Sequence, residues 1–420
     1  YEKTVLPQLQ HAILAKHDII LLGLRGQAKT RMLRQLVNFL DEYVPIVKGS
    51  EINDDPFNPL SSYAFAQISE HGDDTPIGWL HRTKRYGEKL ATPDTSVADI
   101  IGDIDPIKAA TKKLSLADEN VINFGIIPRT NRGIFVINEL PDLQPRIQVA
   151  LLNIMQERDI QIRGFNVRIP LDLSIAFSAN PEDYTNRGNI ISPLKDRIDA
   201  QILTHYPREI QTGITITQQE AWQQRQDEMK VHIPMMYREV VEYAAFEARE
   251  SEYIDQKSGV SARMTITAME MIVSAAERRG FINKEKEVTL RIADLYHMIP
   301  ALTGKMELVY EGEQEGAINV AKHIIGKAVS KAFKHHFPNP QSKDDTVKAE
   351  FDKITNWFAG GNDLSIQDTL AQSDYKKLLN SVEGLEDFVV KYAKPAHEKD
   401  KLAIMDLSLE ALHQHSMLSK

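Results

Sequence analysis

The sequence contains no cysteine among its 420 residues. Disulfide bonds, zinc sites with cysteine ligands and thiol nucleophiles are therefore excluded, and the composition fits a reducing compartment. No apolar run reaches the roughly 18 to 20 residues that a membrane-spanning helix requires. The first residues, YEKTVLPQLQ, lack the basic and then apolar profile of a signal peptide. We therefore expect a cytoplasmic protein that does not insert into membranes.

The chain also lacks an excess of positive charge. The chain carries 50 Lys and Arg residues against 59 Asp and Glu residues, which gives a formal net charge of -9. Its basic residues are scattered and form no stripe with interleaved aromatic residues. Neutralisation of phosphate supplies most of the affinity of nucleic-acid binders, so we expect no dedicated nucleic-acid binding.

The chain is long enough for two or three domains with substantial cores, and its pattern changes along its length. Short apolar runs at DIILLGL (18–24), GIFVINEL (133–140) and LSIAFSAN (173–180) read as buried strands between amphipathic stretches. This pattern predicts an α/β domain over residues 1–205, with a parallel sheet and helices on both faces. Helical patterns predict a second domain over 206–325 and a C-terminal extension over 326–420. We interpret HHFPNPQSKDD (335–345) as a linker or long loop, because prolines and charges interrupt the helical pattern there.

The segment GLRGQAKT follows the first predicted strand and precedes a helical pattern, TRMLRQLVNFL. Strand, glycine-rich turn and helix N-terminus together predict a phosphate-binding loop, in which Lys29 would contact the β- and γ-phosphates and Thr30 would contact Mg²⁺. Ala28 replaces the second expected glycine, which costs about 1–2 kcal/mol if the position is left-handed. The alternative is an ordinary strand-to-helix turn that contains a lysine. The candidate nucleotide-binding residues are Gly23, Arg25, Gly26, Gln27, Ala28, Lys29, Thr30 and Arg31.

Polar residues close the other two predicted strands. Glu139 is a candidate to polarise the attacking water, and Asn138 stands where an aspartate usually supports the metal shell, so we expect it to act through a metal-bound water. Replacement of Asn138 by Asp is then expected to raise turnover or Mg²⁺ affinity. Asn180 could hold the same water from the next strand. Taken alone, each of these residues is also compatible with an ordinary polar strand end.

The order and separation of these motifs resemble the AAA+ ATPases, most closely the branch of the MoxR ATPases and the magnesium-chelatase I subunit. The most specific portions are TPDTSVADIIGDIDPIKAA, the run from FGIIPRTNRGIFVINELPDL to the end of IQIRGFNVRIP, and FSANPED. The resemblance covers roughly residues 5 to 305. It implies a helical insertion within 103–132, a Walker B strand at 134–139, a hairpin at about 160–169 and a sensor 1 residue at Asn180.

The resemblance also assigns roles to arginines. PLKDRID is similar to the segment that carries the arginine finger, so Arg197 would reach the γ-phosphate bound by a neighbouring subunit, with Arg187 as the second candidate. SGVSARMTI is similar to the sensor 2 region, so Arg263 would contact the nucleotide from the helical domain. The alternatives are a helix-terminal Arg197 paired with Asp196 or Asp199 and a solvated Arg263.

The resemblance therefore implies a ring, expected to be a hexamer of this chain, that couples binding and hydrolysis of ATP with Mg²⁺ to chaperone-like remodelling or metal insertion. Its expected partner is a protein with a von Willebrand factor A domain. A magnesium-chelatase subunit, an enhancer-binding transcription activator and a nucleotide-dependent scaffold with little hydrolysis are the alternatives. The activator is disfavoured because we find no GAFTGA-like loop and no helix-turn-helix signature.

Overall fold

The computed structural model describes residues 1–115, 118–162, 168–181, 188–223, 225 and 229–419. These residues divide into two compact units, Tyr1–His205 and Tyr206–Lys420. Among the described residues, no helix is both long and apolar enough to cross a membrane.

A five-stranded parallel sheet forms the centre of the first unit. From one edge to the other, its strands are Ala200–Leu203, Ile19–Leu22, Leu173–Ala179, Gly133–Asn138 and Tyr86–Leu90. The three predicted strands are confirmed and occupy the middle of the sheet. The two edge strands were not predicted, because YGEKL is largely polar and AQIL is short.

Successive residues of the sheet strands point to opposite faces, and both faces are covered by helices. On one face, Ile19 and Leu21 join a core with helices Val5–Leu14 and Lys29–Gln35. On the other face, Ile20 and Leu22 join a core with helix Pro145–Glu157. This confirms the predicted α/β fold with helices on both faces of the sheet.

Smaller elements decorate this sheet. Strands Tyr43–Val47 and Ile77–His81 form an antiparallel pair, as do Gly102–Ile104 and Ile122–Phe124. Strands Asp159–Gln161 and Arg168–Pro170 also pair antiparallel at the predicted hairpin, whose residues 163–167 lie outside the described part of the chain. The other α-helices among the described residues of this unit are Ser62–His71, Val97–Ile100, Pro106–Lys112, Ile126–Arg129 and Ser192–Arg197.

In the described part of the second unit, the only strands are the short parallel pair Lys230–His232 and Glu287–Thr289, and the other regular elements are helices. The predicted boundary at residue 325 falls inside helix Ala317–His336, whose buried residues belong to a core that extends to Leu412. The predicted linker at 335–345 begins inside the same helix, and Phe337 is buried, stacked on Phe333. The proline and charge pattern misplaced the end of this helix by two residues. The other helices are Ile210–Glu220, Met235–Glu250, Arg263–Asn283, Ile292–Tyr296, Ile299–Thr303, Tyr310–Glu315, Asp345–Ala359, Gln372–Asn380, Leu385–Ala393 and Glu398–Gln414.

Helix Glu398–Gln414 lies in the interior of the second unit, and every residue from 402 to 412 is buried. Its polar residues are paired with other helices of the unit. The Asp406 carboxylate accepts hydrogen bonds from the Tyr375 hydroxyl (2.9 Å) and from the backbone N–H of Ile292 (3.0 Å). The Glu410 carboxylate accepts one from the Tyr296 hydroxyl (2.6 Å). The C-terminal helices are therefore part of the core of this unit.

Candidate functional site

The segment GLRGQAKT turns sharply between strand Ile19–Leu22 and the helix that begins at Lys29. A Cβ atom at Gly23 would lie 2.0 Å from Thr204 Oγ1, so only glycine fits there. Gly26 has φ +74° and Ala28 has φ +59°, both in the left-handed region. The left-handed conformation at Gly26 is one that glycine adopts without strain. Ala28 adopts the same kind of conformation, which is unfavourable for a residue with a Cβ atom.

The loop is held in place by residues that sequence reasoning missed. The Thr204 hydroxyl, which follows the edge strand, donates to the buried Gln27 side chain (2.6 Å). The Tyr1 hydroxyl donates to the Gln27 carbonyl oxygen (2.6 Å), and burial raises the pKa of Tyr1 to about 12. Neither Tyr1 nor Thr204 belongs to a recognisable sequence motif. Their contacts with the loop are therefore visible only in the folded structure.

Lys29 and Thr30 open the helix that follows the loop. Lys29 is buried, and its Nζ donates to the carbonyl oxygens of Gly23 and of Leu24, the second at 3.0 Å. The Lys29 ammonium group therefore lies against the backbone at the start of the loop, between strand Ile19–Leu22 and the helix. The Thr30 hydroxyl lies 3.4 Å from the Asn138 amide oxygen.

Asn138 ends its strand at the carboxyl edge of the sheet and is buried. Its amide oxygen also accepts from the Ser178 hydroxyl (2.8 Å) on the neighbouring strand. Its amide nitrogen donates to the Glu88 carboxylate (2.6 Å) on the strand at the other side. The structure thus brings Thr30 and Asn138 together as expected and adds two partners that were not predicted.

Glu88 is the more consequential of these two partners. Arg34 donates to both of its oxygens, from Nε at 2.7 Å and from Nη2 at 2.9 Å, and the Tyr86 hydroxyl donates at 3.2 Å. The Arg34 hydrogen bonds hold the pKa of Glu88 below its ordinary value. In the sequence, Glu88 is a charged residue within YGEKL, a segment too polar to predict as a strand of the sheet.

Glu139 and Asn180 lie at the same edge of the sheet. Glu139 is half-buried and has φ +57°, which is uncommon for a residue with a side chain. Its backbone N–H lies 3.4 Å from the Ser178 hydroxyl. Asn180 is buried and directly follows strand Leu173–Ala179. Both residues therefore lie at the carboxyl ends of the strands, the edge of the sheet at which ligands bind in open α/β folds.

The candidate arginines have different surroundings. The Arg197 guanidinium donates to the Gln156 side chain (3.1 and 2.8 Å) and to the Pro193 carbonyl oxygen (2.9 Å). Arg25 and Arg31 are exposed beside the loop. Arg263 is the first residue of helix Arg263–Asn283 in the second unit and is exposed. Arg187 lies outside the described residues.

The oxygen atoms around Thr30 are suitable ligands for a hard cation such as Mg²⁺. A hydroxyl oxygen and an amide oxygen lie 3.4 Å apart, with a carboxylate beside the amide. Mg²⁺ prefers oxygen ligands and usually keeps several of its waters, so it is commonly held by few protein groups together with phosphate oxygens. The residues present therefore fit a nucleotide-bound Mg²⁺.

No family model matches the chain. The magnesium-chelatase 38 kDa subunit of Cereibacter sphaeroides is 25% identical over 213 residues, which cover 49% of this chain and 56% of the relative. The subunit of the same name in Rhodobacter capsulatus is 24% identical over 206 residues, covering 47% of this chain and 51% of the relative. The chain thus spans about half the length of the curated relatives it matches. Among solved structures, a chain of the complex between subunits BchI and BchD of magnesium chelatase has a TM-score of 0.38 and 18% identity, covering 74% of this chain and 94% of that one.

Proposed function

We propose that this chain, an AAA+ protein of the branch that contains the MoxR proteins and the magnesium-chelatase I subunits, binds ATP with Mg²⁺ and hydrolyses it. One observation carries the proposal. Thr30, Asn138 and Ser178 come from three distant segments of the chain, yet their side chains meet within hydrogen-bonding distance at the carboxyl edge of the sheet. A strand-to-helix turn without a nucleotide would not require this convergence next to a glycine-dependent loop.

The chemistry follows from the position of each residue. The loop N–H groups and Lys29 would bind the phosphates, because a helix N-terminus and an ammonium both favour an anion. Thr30 and Asn138 would hold Mg²⁺, which would neutralise charge on the phosphate oxygens. Glu139 would polarise the attacking water, and Asn180 would orient that water from the adjacent strand.

The ring rests on Arg197. The resemblance of PLKDRID to the segment that carries the arginine finger implies that Arg197 acts on the nucleotide of the next subunit, so we propose that this chain assembles into a closed ring, with six subunits as the expected number. Gln156 and Pro193 hold the guanidinium at the end of helix Ser192–Arg197. They would limit the side-chain freedom that is lost when the finger engages a neighbouring site.

The task of the motor is proposed by analogy with the family. We propose that the ring acts on a partner protein with a von Willebrand factor A domain, by chaperone-like remodelling or metal insertion. A magnesium-chelatase-type subunit is the alternative, in which the same motor would serve a metal-insertion complex.

A second candidate function is a scaffold that binds ATP with little hydrolysis. Two observations favour it: Ala28 occupies a left-handed position in the loop, and residue 138 is a neutral amide. Ala28 would weaken the phosphate contacts, and residue 138 brings no negative charge to the metal. Steady-state phosphate release separates the scaffold from the motor.

The test compares three substitutions in the full chain. Glu139→Gln should retain nucleotide binding and lose phosphate release, because an amide does not polarise water as a carboxylate does. Lys29→Ala should lose binding itself, since a charge-assisted phosphate contact disappears. Glu157→Gln, the same change at an exposed helix end, is the control and should change neither. Unchanged nucleotide affinity in Lys29→Ala would remove the phosphate-loop assignment.

A further inference from the structure

The Asn138 side chain has one orientation that satisfies its surroundings. An ionised carboxylate only accepts hydrogen bonds, so the Glu88 oxygen at 2.6 Å must face the amide nitrogen. The amide oxygen is then directed to the opposite side, towards the Ser178 hydroxyl at 2.8 Å and the Thr30 hydroxyl at 3.4 Å. Glu88 therefore decides which end of the amide faces Thr30.

The position of Glu88 follows from the sheet. Leu90 pairs with Asn138 and Glu88 pairs with Val136, so Glu88 and Asn138 lie on the same face of two adjacent strands. Helix Lys29–Gln35 covers this face and brings Arg34 onto both carboxylate oxygens. The bidentate contact fixes the plane of the carboxylate as well as its position.

This arrangement is incompatible with an acid at residue 138. An aspartate there would place a carboxylate oxygen where the amide nitrogen now donates, 2.6 Å from a Glu88 oxygen. Like charges at such a distance cannot both stay ionised without a cost or a displacement. The neutral residue at 138 and the acid at 88 therefore belong together.

We propose that Glu88, held by Arg34, is a positioning residue of the cation side of the ATP site: it orients Asn138 so that the amide oxygen faces Thr30 and the water shell of Mg²⁺. This inference rests on the proposed function. It also replaces the expectation that Asn138→Asp alone raises Mg²⁺ affinity. The substitution should lower it, because the new carboxylate faces Glu88.

The experiment uses a reciprocal exchange in a Glu139→Gln background, in which nucleotide stays bound without turnover. The readout is the Mg²⁺ concentration at half-maximal binding of a fluorescent ATP analogue. Glu88→Gln and Asn138→Asp should each raise it by about 10- to 100-fold, the usual effect of losing a residue that orients a metal ligand. Glu88→Gln frees the amide of Asn138 to rotate, because glutamine both donates and accepts.

The double variant, Glu88→Gln with Asn138→Asp, is the decisive arm. Its carboxylate at 138 can accept from the Gln side chain at 88 and still present an oxygen to Thr30, so the Mg²⁺ midpoint should return close to that of the background. A merely structural role of Glu88 predicts additive losses. Melting temperatures without nucleotide identify variants that are damaged in folding, and Arg34→Gln should give a partial version of the Glu88→Gln effect.

Two results would overturn the positioning role. One is an equal Mg²⁺ midpoint in the background, the two single variants and the double variant. The other is a double variant whose loss of Mg²⁺ affinity equals the combined losses of the two single variants. Failure of the proposed function looks different, because the Glu139→Gln background would then bind no nucleotide at any Mg²⁺ concentration.

Discussion

At the scale of single residues, Ala28 adopts an unfavourable backbone conformation in the loop before helix Lys29–Gln35. Its φ of +59° and ψ of +20° are left-handed, and its methyl group is exposed to solvent. An L-residue with a Cβ atom pays about 1–2 kcal/mol in this region, whereas glycine does not. The strain is therefore backbone strain, since an exposed methyl group has no close packing to relieve.

Ala28→Gly should stabilise the first unit. Relief of about 1–2 kcal/mol of strain exceeds the roughly 0.4–1 kcal/mol that glycine adds to the entropy of the unfolded chain, so we expect a net gain of about 1 kcal/mol in the free energy of unfolding. Chemical denaturation of the full chain, followed by a probe in the first unit, measures it.

Ala110→Gly is the matched control. Ala110 is exposed within helix Pro106–Lys112, where glycine is unfavourable by about 1 kcal/mol. The two substitutions should therefore shift stability in opposite directions. A loss of stability in Ala28→Gly would show that the left-handed position is not strained.

The residues that sequence reasoning reached and those that it missed differ in a physical way. Lys29, Thr30 and Asn138 could be proposed from the sequence because a loop and a strand end carry them in recognisable order. Glu88 and Thr204 act across strands that meet only in the folded sheet. Pairing between distant segments is set by tertiary structure, so local pattern could not identify such partners.

At the scale of elements, a buried polar cluster joins the helices of the second unit. The Asp294 carboxylate accepts from Arg279 Nη2 (2.9 Å) and from the backbone N–H of Arg291 (2.9 Å). Burial raises the pKa of Asp294 to about 6, although Arg279 opposes the shift. The folded protein therefore holds a proton at Asp294 more tightly than the unfolded chain does.

This raised pKa predicts how stability depends on pH. Between about pH 4 and pH 6 the folded state binds the extra proton, so the contribution of Asp294 to stability falls as the pH rises through this window. A shift of about two units corresponds to roughly 3 kcal/mol across the window. In Asp294→Asn this component should vanish, and the stability of the second unit should decline less from pH 4 to pH 6 than in the parent chain.

Denaturant unfolding at several pH values checks this prediction. Asp363→Asn, at an exposed position outside the helices, is the control and should follow the parent profile. The prediction is wrong if Asp294→Asn also keeps the parent profile.

Apolar elements could be predicted from the sequence, whereas elements that depend on tertiary contacts could not. The three central strands are recognisable as apolar runs. Tyr86–Leu90 is largely polar and is a strand because it pairs with Gly133–Asn138. Similarly, helix Ala317–His336 continues past the predicted boundary because Phe333 packs in the core and Phe337 stacks on it. Tertiary packing decided these element bounds.

At the scale of the whole molecule, the proposed ring predicts complementation between two inactive variants. Lys29→Ala subunits would lack nucleotide but carry an intact Arg197, whereas Arg197→Ala subunits would bind nucleotide but lack the finger. Mixed rings should regain phosphate release where an intact finger faces an intact loop. Loss of an arginine finger typically costs 10³ to 10⁵ in rate, so even about a tenth of the parent rate would stand far above either variant.

The measurement is phosphate release against mixing ratio, with subunit exchange verified separately. An active parent protein that stays strictly monomeric would refute the shared site. So would a mixture that is no more active than its components after exchange.

The burial of helix Glu398–Gln414 has a consequence for the order in which the chain folds during synthesis. A ribosome releases the chain from its N-terminal side, so this helix emerges after every other helix of the second unit. Residues 402–412 fill the interior that those earlier helices enclose. The sheet of the first unit can therefore close while translation continues, whereas the second unit must wait with an open apolar interior. That waiting interval is when chaperones would have the most exposed surface to bind.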